Sequence, residues 1–300
     1  MAAAPLPEPE SREMGGEHAV SQRPDGTGRG ALAPPRVRAS ADDAIRVLDE
    51  LRRRGPLVHC MTNIVVAGFT ANVLLAVGAS PAMVENSEES AEFAQVADAV
   101  LVNLGTLSPD KVTAMRAAVA AAARAGTPWV LDPVAVGALA YRTRFATELL
   151  ASGPAVIRGN PSEILSLAGV TDSAGRGVDS TSGSRDALER AIELARRQGT
   201  TVAVSGAIDY ITDGAVVLDV RTGHEMMTRV TGVGCALGAL VSACCAVERS
   251  PLLAASAATT ILTVAAEVAV KRSEGPGSFA VSLLDALYRL DSAALRTHAG

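Results

Sequence analysis

The chain has 300 residues, 48% of them hydrophobic and 20% charged, but only 3% aromatic, with a single tryptophan, Trp129. A core of that size built from Ala, Val and Leu favours closely packed helix and sheet layers. A net charge of −5, the lack of any Lys/Arg-rich block and the scarcity of rings for base stacking exclude a nucleic-acid partner.

Residues 1–40 are rich in Pro, Gly, Arg and acids and hold no aromatic residue. Such a stretch buries too little apolar surface to offset its chain entropy, so it is expected to be a disordered tail ahead of one domain spanning 41–300. It lacks the apolar run of a secretory signal, and its acids argue against an organelle transit peptide. Cys60, Cys235, Cys244 and Cys245 have neither zinc-knuckle nor CxxC spacing, which fits a reducing cytoplasm.

From Ser40 onward, β-rich runs alternate with longer Ala/Leu-rich ones. Ser40 caps a predicted helix over Ala41–Arg53, with Ile45, Val47, Leu48 and Leu51 at helical spacing. Leu57–Met61 reads as a strand, Phe69–Val77 as a helix stopped by Gly78, and Ser87–Val96 as a further helix. Val100–Leu104 is a strand. Ser108 caps an Ala-rich helix that Gly126 ends near Ala125. Trp129–Leu131 and Ala155–Ile157 are strands, Ala187–Arg197 is a helix, and Val202–Val204 is a strand. Tyr210–Thr212 and Val216–Val220 flank Asp213-Gly214, a hairpin signal. Three helices close the chain. Thr231–Val247 carries no charge and Pro251–Val270 only Glu267; both read as helices buried in a soluble core, without a membrane span.

Repeated strand–helix units with continuously apolar strands predict a three-layer α/β/α domain around a mostly parallel sheet. Ligands of such sheets bind at the carboxyl ends of the strands. The unusual residues fall there: Gly105-Thr106, Asp132-Pro133, Arg158-Gly159-Asn160 and Ser205-Gly206.

Thr231-Gly232-Val233-Gly234-Cys235 is a glycine-rich turn opening a helix. Glycines let the backbone approach a ligand, and the helix N-terminus favours an anion such as a transferring phosphoryl group. A tightly packed helix start explains the pattern as well, and no Walker lysine follows. In the first helical turn, the Cys235 thiol is expected to be lowered toward the thiolate, as nucleophile or base, or else to be inert packing. In Asn160-Pro161-Ser162-Glu163, Glu163 is either a capping carboxylate or, beside an anion hole, a water-mediated Mg²⁺ ligand; Asp132 is either a turn residue or a second ligand. Arg158 can clamp phosphate oxygens or pair with a carboxylate, and Ser205 can contact phosphate or begin a turn.

Taken in order, these pieces form a pattern. Leu57-Val58-His59-Cys60-Met61-Thr62-Asn63, Phe69-Thr70-Ala71-Asn72 and Gly78-Ala79-Ser80-Pro81-Ala82-Met83 come first. Asn103-Leu104-Gly105-Thr106-Leu107, Leu131-Asp132-Pro133-Val134, Ile157-Arg158-Gly159-Asn160 and Gly177-Val178-Asp179 follow. Val230–Cys235 and Gly275-Pro276-Gly277-Ser278-Phe279 complete it. Together, over about residues 41–290, they resemble the hydroxyethylthiazole kinases. The resemblance implies a ribokinase-like fold, a homotrimer with sites at subunit interfaces, and ATP, Mg²⁺ and 4-methyl-5-(2-hydroxyethyl)thiazole as reactants in thiamine salvage. It implies that Asn63, Met83, Gly105 and Gly232 line the thiazole pocket, that Arg158 and Ser205 contact ATP, and that Asp132 and Glu163 serve Mg²⁺. It puts Cys235 where most ribokinase-like enzymes carry an aspartate base, with the Gly232 and Gly234 backbone beside it for catalysis. Val233 and Pro161 depart from the residues usual in the family. Rival readings are a ribokinase-like kinase of hydroxymethylpyrimidine, pyridoxal or a sugar, an ATP-dependent hydro-lyase on the same fold, and a thiazole binder without catalysis.

Overall fold

The central strands are apolar at consecutive positions, so neither face of their sheet can be left to water. The computed structural model, which describes residues 33–169 and 180–300, covers both faces. Its sheet holds β1 (Arg36–Arg38), β2 (Leu57–Met61), β3 (Ser80–Ala82), β4 (Ala99–Asn103), β5 (Trp129–Asp132), β6 (Val156–Gly159), β7 (Thr201–Val204), β8 (Asp209–Thr212) and β9 (Val217–Val220). The strand order is β1-β9-β8-β7-β6-β5-β4-β2-β3. Every neighbouring pair is parallel except β7–β8, joined by the turn at 205–208, and β8–β9, joined by the Asp213-Gly214 hairpin.

The helices, in chain order, are α1 (Ala41–Arg54), α2 (Ala67–Val77), α3 (Ser90–Val96), α4 (Pro109–Ala125), α5 (Ala140–Leu150), α6 (Pro161–Leu167), α7 (Ser180–Gln198), α8 (Val233–Val247), α9 (Pro251–Val270), α10 (Pro276–Arg289) and α11 (Ser292–Ala299). Strand alternation sorts them into two layers. Leu101, Val130, Val156 and Ala203 point into a core shared with α1, α2 and α8–α11. Their neighbours Val100, Val102, Leu131, Ile157 and Val202 point into a second core, shared with α3–α7. The result is the expected three-layer α/β/α arrangement.

Three features differ from the sequence reading. The sheet takes in β1, ahead of the domain start at 41. A three-residue edge strand has no composition signal; it is held by backbone pairing to β9, by an ion pair from Arg36 to the buried Asp219 (2.9 Å), and by stacking of Arg36 over the Tyr210 ring (4.5 Å). The short elements β3, α5 and α6 lie between predicted ones, and four helices close the chain instead of three, because Asp291 caps a further one, α11. The Gly177-Val178-Asp179 motif and residues 1–32 lie outside the described residues.

α9 is long and apolar enough to cross a bilayer, yet it is mostly buried, packed against α1, α8, α10 and the sheet. Its one acid, Glu267, accepts the Gly223 backbone N–H at 2.9 Å and an ion pair from His298 of α11. Leu262, in the middle of α9, is fully buried. Leu262→Ala is expected to cost about 2–5 kcal/mol, read as a lower urea midpoint at unchanged slope.

Candidate active site

Carboxyl ends of parallel strands are where backbone and side chains are freed from the ladder, and the predicted residues collect there. Asn63 follows β2, Asn103 ends β4 with Gly105 just beyond, Asp132 ends β5, Arg158 lies in β6, and Ser205 follows β7. The start of α8 lies across this edge.

Gly232 is the N-cap of α8, at φ 97°, a region that L side chains disfavour. A Cβ there would also stand 2.9 Å from Val66 Cγ1. Among the described residues no side chain caps this helix. Its first N–H groups, from Val233 to Cys235, therefore lack the partner that helix starts otherwise find. The contrast is α6. There Asn160 accepts the Glu163 N–H at 3.0 Å and Glu163 Oε2 accepts the Asn160 N–H at 2.9 Å, a closed capping box.

Asn103 organises the residues at the ends of β2, β4 and β5, and the sequence reading did not single it out. Its Oδ1 accepts from Asn63 Nδ2 (3.2 Å) and from the Gly105 N–H (3.0 Å), while its Nδ2 donates to Asp132 Oδ2 (2.6 Å). Asn63 Nδ2 also points at the Cys235 sulfur, 3.4 Å away. The signal for Asn103 was an amide ending an apolar strand, because a buried amide must find partners. Met83 is not hydrogen-bonded to this set. It is half-buried against the α2/α8 core, and its segment is tied to the Asn63 loop by Lys111, whose Nζ donates to Thr62 O (3.0 Å) and pairs with Glu85 (2.9 Å).

On the other side, Arg158 Nη2 donates to Ser205 Oγ at 2.7 Å, and its guanidinium packs against Gly234. Asp132 is buried between charges: burial pushes it up to about 7, Arg158 opposes this, and Glu163 adds to it. Glu163 is the capping carboxylate of the first sequence reading. Its Oε1 accepts the N–H of Ala135, a residue held at φ 61°, at 2.9 Å, its Oε2 closes the capping box, and its charge reaches Asp132. Thr106, at φ 44°, is with Ala135 the other non-glycine in the left-handed region among the described residues; its hydroxyl accepts the Ile64 N–H at 3.1 Å. Strained backbone of this kind, next to Gly105 and Asp132, persists where surrounding bonds hold it.

The thiolate expectation for Cys235 is corrected. Burial raises its pKa, and the neighbouring Asp132 charge raises it further; hydrogen bonds from Asn103 and Asn63 and the Arg158 charge oppose this only in part. Desolvation dominates, so the group is a thiol at neutral pH.

Asp132 and Glu163, buried and within electrostatic reach of one another, are a carboxylate pair of the kind that fits Mg²⁺. This ion takes one or two carboxylates, keeps several waters and completes its shell with phosphate oxygens. No cluster of three or more His, Cys, Asp or Glu side chains is assembled among the described residues, so a full protein cage is not what this site offers.

The architecture is that of a ribokinase-like superfamily protein from Enterococcus faecalis V583, with a TM-score of 0.61 over 87% of this chain and 98% of that one; at 11% identity, only the fold is shared. The chain thus has a ribokinase-like fold. Closer comparison narrows this. The profile of the hydroxyethylthiazole kinase family matches residues 48–293, and the chain belongs to that family. It is 55% identical over 266 residues to a hydroxyethylthiazole kinase of Kineococcus radiotolerans, covering 89% of this chain and 96% of the relative. The solved hydroxyethylthiazole kinase protein of Pyrococcus horikoshii OT3 is 42% identical, with a TM-score of 0.80 over 86% of this chain and 98% of that one.

Two predictions rest on this geometry. A Cβ at Gly105 would lie 2.6 Å from Asn63 Cβ. Gly105→Ala is therefore expected to displace Asn63 and lower turnover by about 10²-fold in steady-state assays while the fold survives. The second concerns pH. Asp132 at about 7 and Asp209 at about 6 stand above the ordinary carboxylate value of about 3.9, so the folded chain holds protons that the unfolded chain has released. Stability falls as pH rises from about 4 through about 7. Asp132→Asn, which still accepts from Asn103, is expected to raise Tm at pH 8 relative to wild type. The gain should shrink toward pH 5 in calorimetric scans, and turnover should be lost.

Proposed function

We propose that the protein transfers the γ-phosphoryl group of ATP to the hydroxyl of 4-methyl-5-(2-hydroxyethyl)thiazole, in thiamine salvage. Membership of the hydroxyethylthiazole kinase family supports the substrate. The observation that carries the chemistry is the uncapped N-terminus of α8, facing Arg158 and Asp132 across the strand ends.

In this reading Asn63, Gly105, Met83 and Gly232 bound the thiazole pocket. The alcohol lies beside Cys235 and attacks phosphorus in line with the leaving oxygen. Charge growing on the phosphoryl oxygens meets the N–H groups at the start of α8, and Arg158 with Ser205 holds the phosphates that follow. Asp132 and Glu163 are the residues that would hold Mg²⁺, which when bound neutralises phosphate charge. In a loose transition state the alcohol proton leaves late, so a thiol held by Asn63 serves mainly to orient the alcohol.

The assembly in this proposal is a homotrimer. Ile64 and Val65, which follow Asn63 directly, are 79% and 67% exposed, an apolar rim that a neighbouring subunit would cover. The cysteines described here are all free thiols, which suits the cytoplasm.

Purified protein with Mg-ATP is expected to yield the phosphate ester of the thiazole alcohol by mass spectrometry, in preference to hydroxymethylpyrimidine or pyridoxal tested alongside. An ester formed only from another alcohol would keep the kinase and overturn the pocket. Cys235→Ala is expected to lower turnover by about 10- to 100-fold without abolishing it, whereas Cys235→Asp stays active because a carboxylate at this position still orients the alcohol and can take its proton. A folded, thiazole-binding but inactive Cys235→Asp would refute the role given to this position.

A further inference from the structure

Asp209 opens β8, four residues beyond Ser205, and its side chain is buried. Its Oδ1 accepts the backbone N–H of Gly206 at 2.9 Å, closing the turn that carries Ser205. Burial pushes its carboxyl up to about 6, while the Gly206 N–H, the Arg158 charge and the Ser205 hydroxyl favour the ionised form. Arg158 is thus within electrostatic reach of two buried carboxylates, Asp132 at the end of β5 and Asp209 beside the Ser205 turn.

The guanidinium is under-bonded. Nη2 donates to Ser205 Oγ, but the buried Nε has no partner among the described residues. Its direction is set largely by the charges around it. A turn-closing acceptor for Gly206 needs no charge, since an asparagine oxygen accepts the same N–H without the cost of burying an ion. The negative charge at 209 needs a second explanation, and the cation within its reach is Arg158.

We propose that Asp209 is a positioning residue for the nucleotide: by fixing the Ser205–Gly206 turn and balancing the Arg158 charge, it presents guanidinium and hydroxyl to the phosphates as one preformed clamp. This rests on the kinase reading above. Against Asp132 alone, Arg158 would be drawn toward that carboxylate and would neutralise the group that should face the reacting phosphate. With Asp209 ionised, both carboxylates pull on Arg158.

The test is Asp209→Asn, which keeps an acceptor for Gly206 and removes only the charge. The KM for Mg-ATP is expected to rise about tenfold, with the KM for the thiazole alcohol unchanged and Tm equal to or above wild type. Its effect combined with Ser205→Ala should be smaller than the product of the two single effects, because both act on one clamp. An unchanged KM for Mg-ATP, or equal shifts in both KM values, would overturn the proposal. Asp209→Ser, also an uncharged acceptor, gives the same readout should the amide variant fail to fold. Calorimetric binding of Mg-ADP separates the two ideas, since it needs no acceptor alcohol. If wild type turns over no thiazole, the substrate reading fails, while about tenfold weaker Mg-ADP binding by Asp209→Asn would still support the clamp and unchanged binding would refute it.

Discussion

The Asn103 side chain bonds in three directions at once. It accepts from Asn63 and from the Gly105 backbone, and it donates to Asp132. The strands β2, β4 and β5 thereby fix their carboxyl-end residues against each other before any ligand arrives. A buried amide with its bonds satisfied is rigid, because every alternative orientation leaves a polar group unpaired in a low-dielectric site. The absence of a Cβ at Gly105 is the companion constraint, since Asn63 occupies that space.

Around this hub the charges are arranged in sequence. Glu163, Asp132 and Asp209 are three acids grouped with the cation Arg158, and Asp132 and Asp209 have raised pKa values. An arrangement so rich in buried negative charge costs stability near neutral pH. In the proposed reading, a divalent cation bound there would offset that charge. The same environment keeps Cys235 protonated, so its contribution lies in where it stands more than in its charge.

The legible part of the site was the part written in local pattern. Gly232-Val233-Gly234 before an apolar run marked a helix start, and Asn160-Pro161-Ser162-Glu163 marked a cap; the helix start and the cap are both present. Strand ends at Asp132, Arg158 and Ser205 could be lined up because a parallel sheet brings its carboxyl ends to one edge. The pKa of Cys235 was misjudged because helix position is local and burial is not. Asn103 and Asp209 were passed over as site residues, since an Asn or Asp at the end of a strand is also an ordinary turn residue.

For this chain, the sequence by itself determined the layers, the parallel sheet and the family. Those follow from hydrophobic period, glycine stops, and motifs spread over nearly the whole folded length. Only the tertiary structure decided which polar groups share a hydrogen bond, which acids lose their water and which edge receives a strand as short as Arg36–Arg38. Those outcomes depend on distances between residues far apart in the chain, as between Asn63 and Cys235 or Arg158 and Asp209. Desolvation and pairing are properties of the packed neighbourhood, which no local window of residues contains.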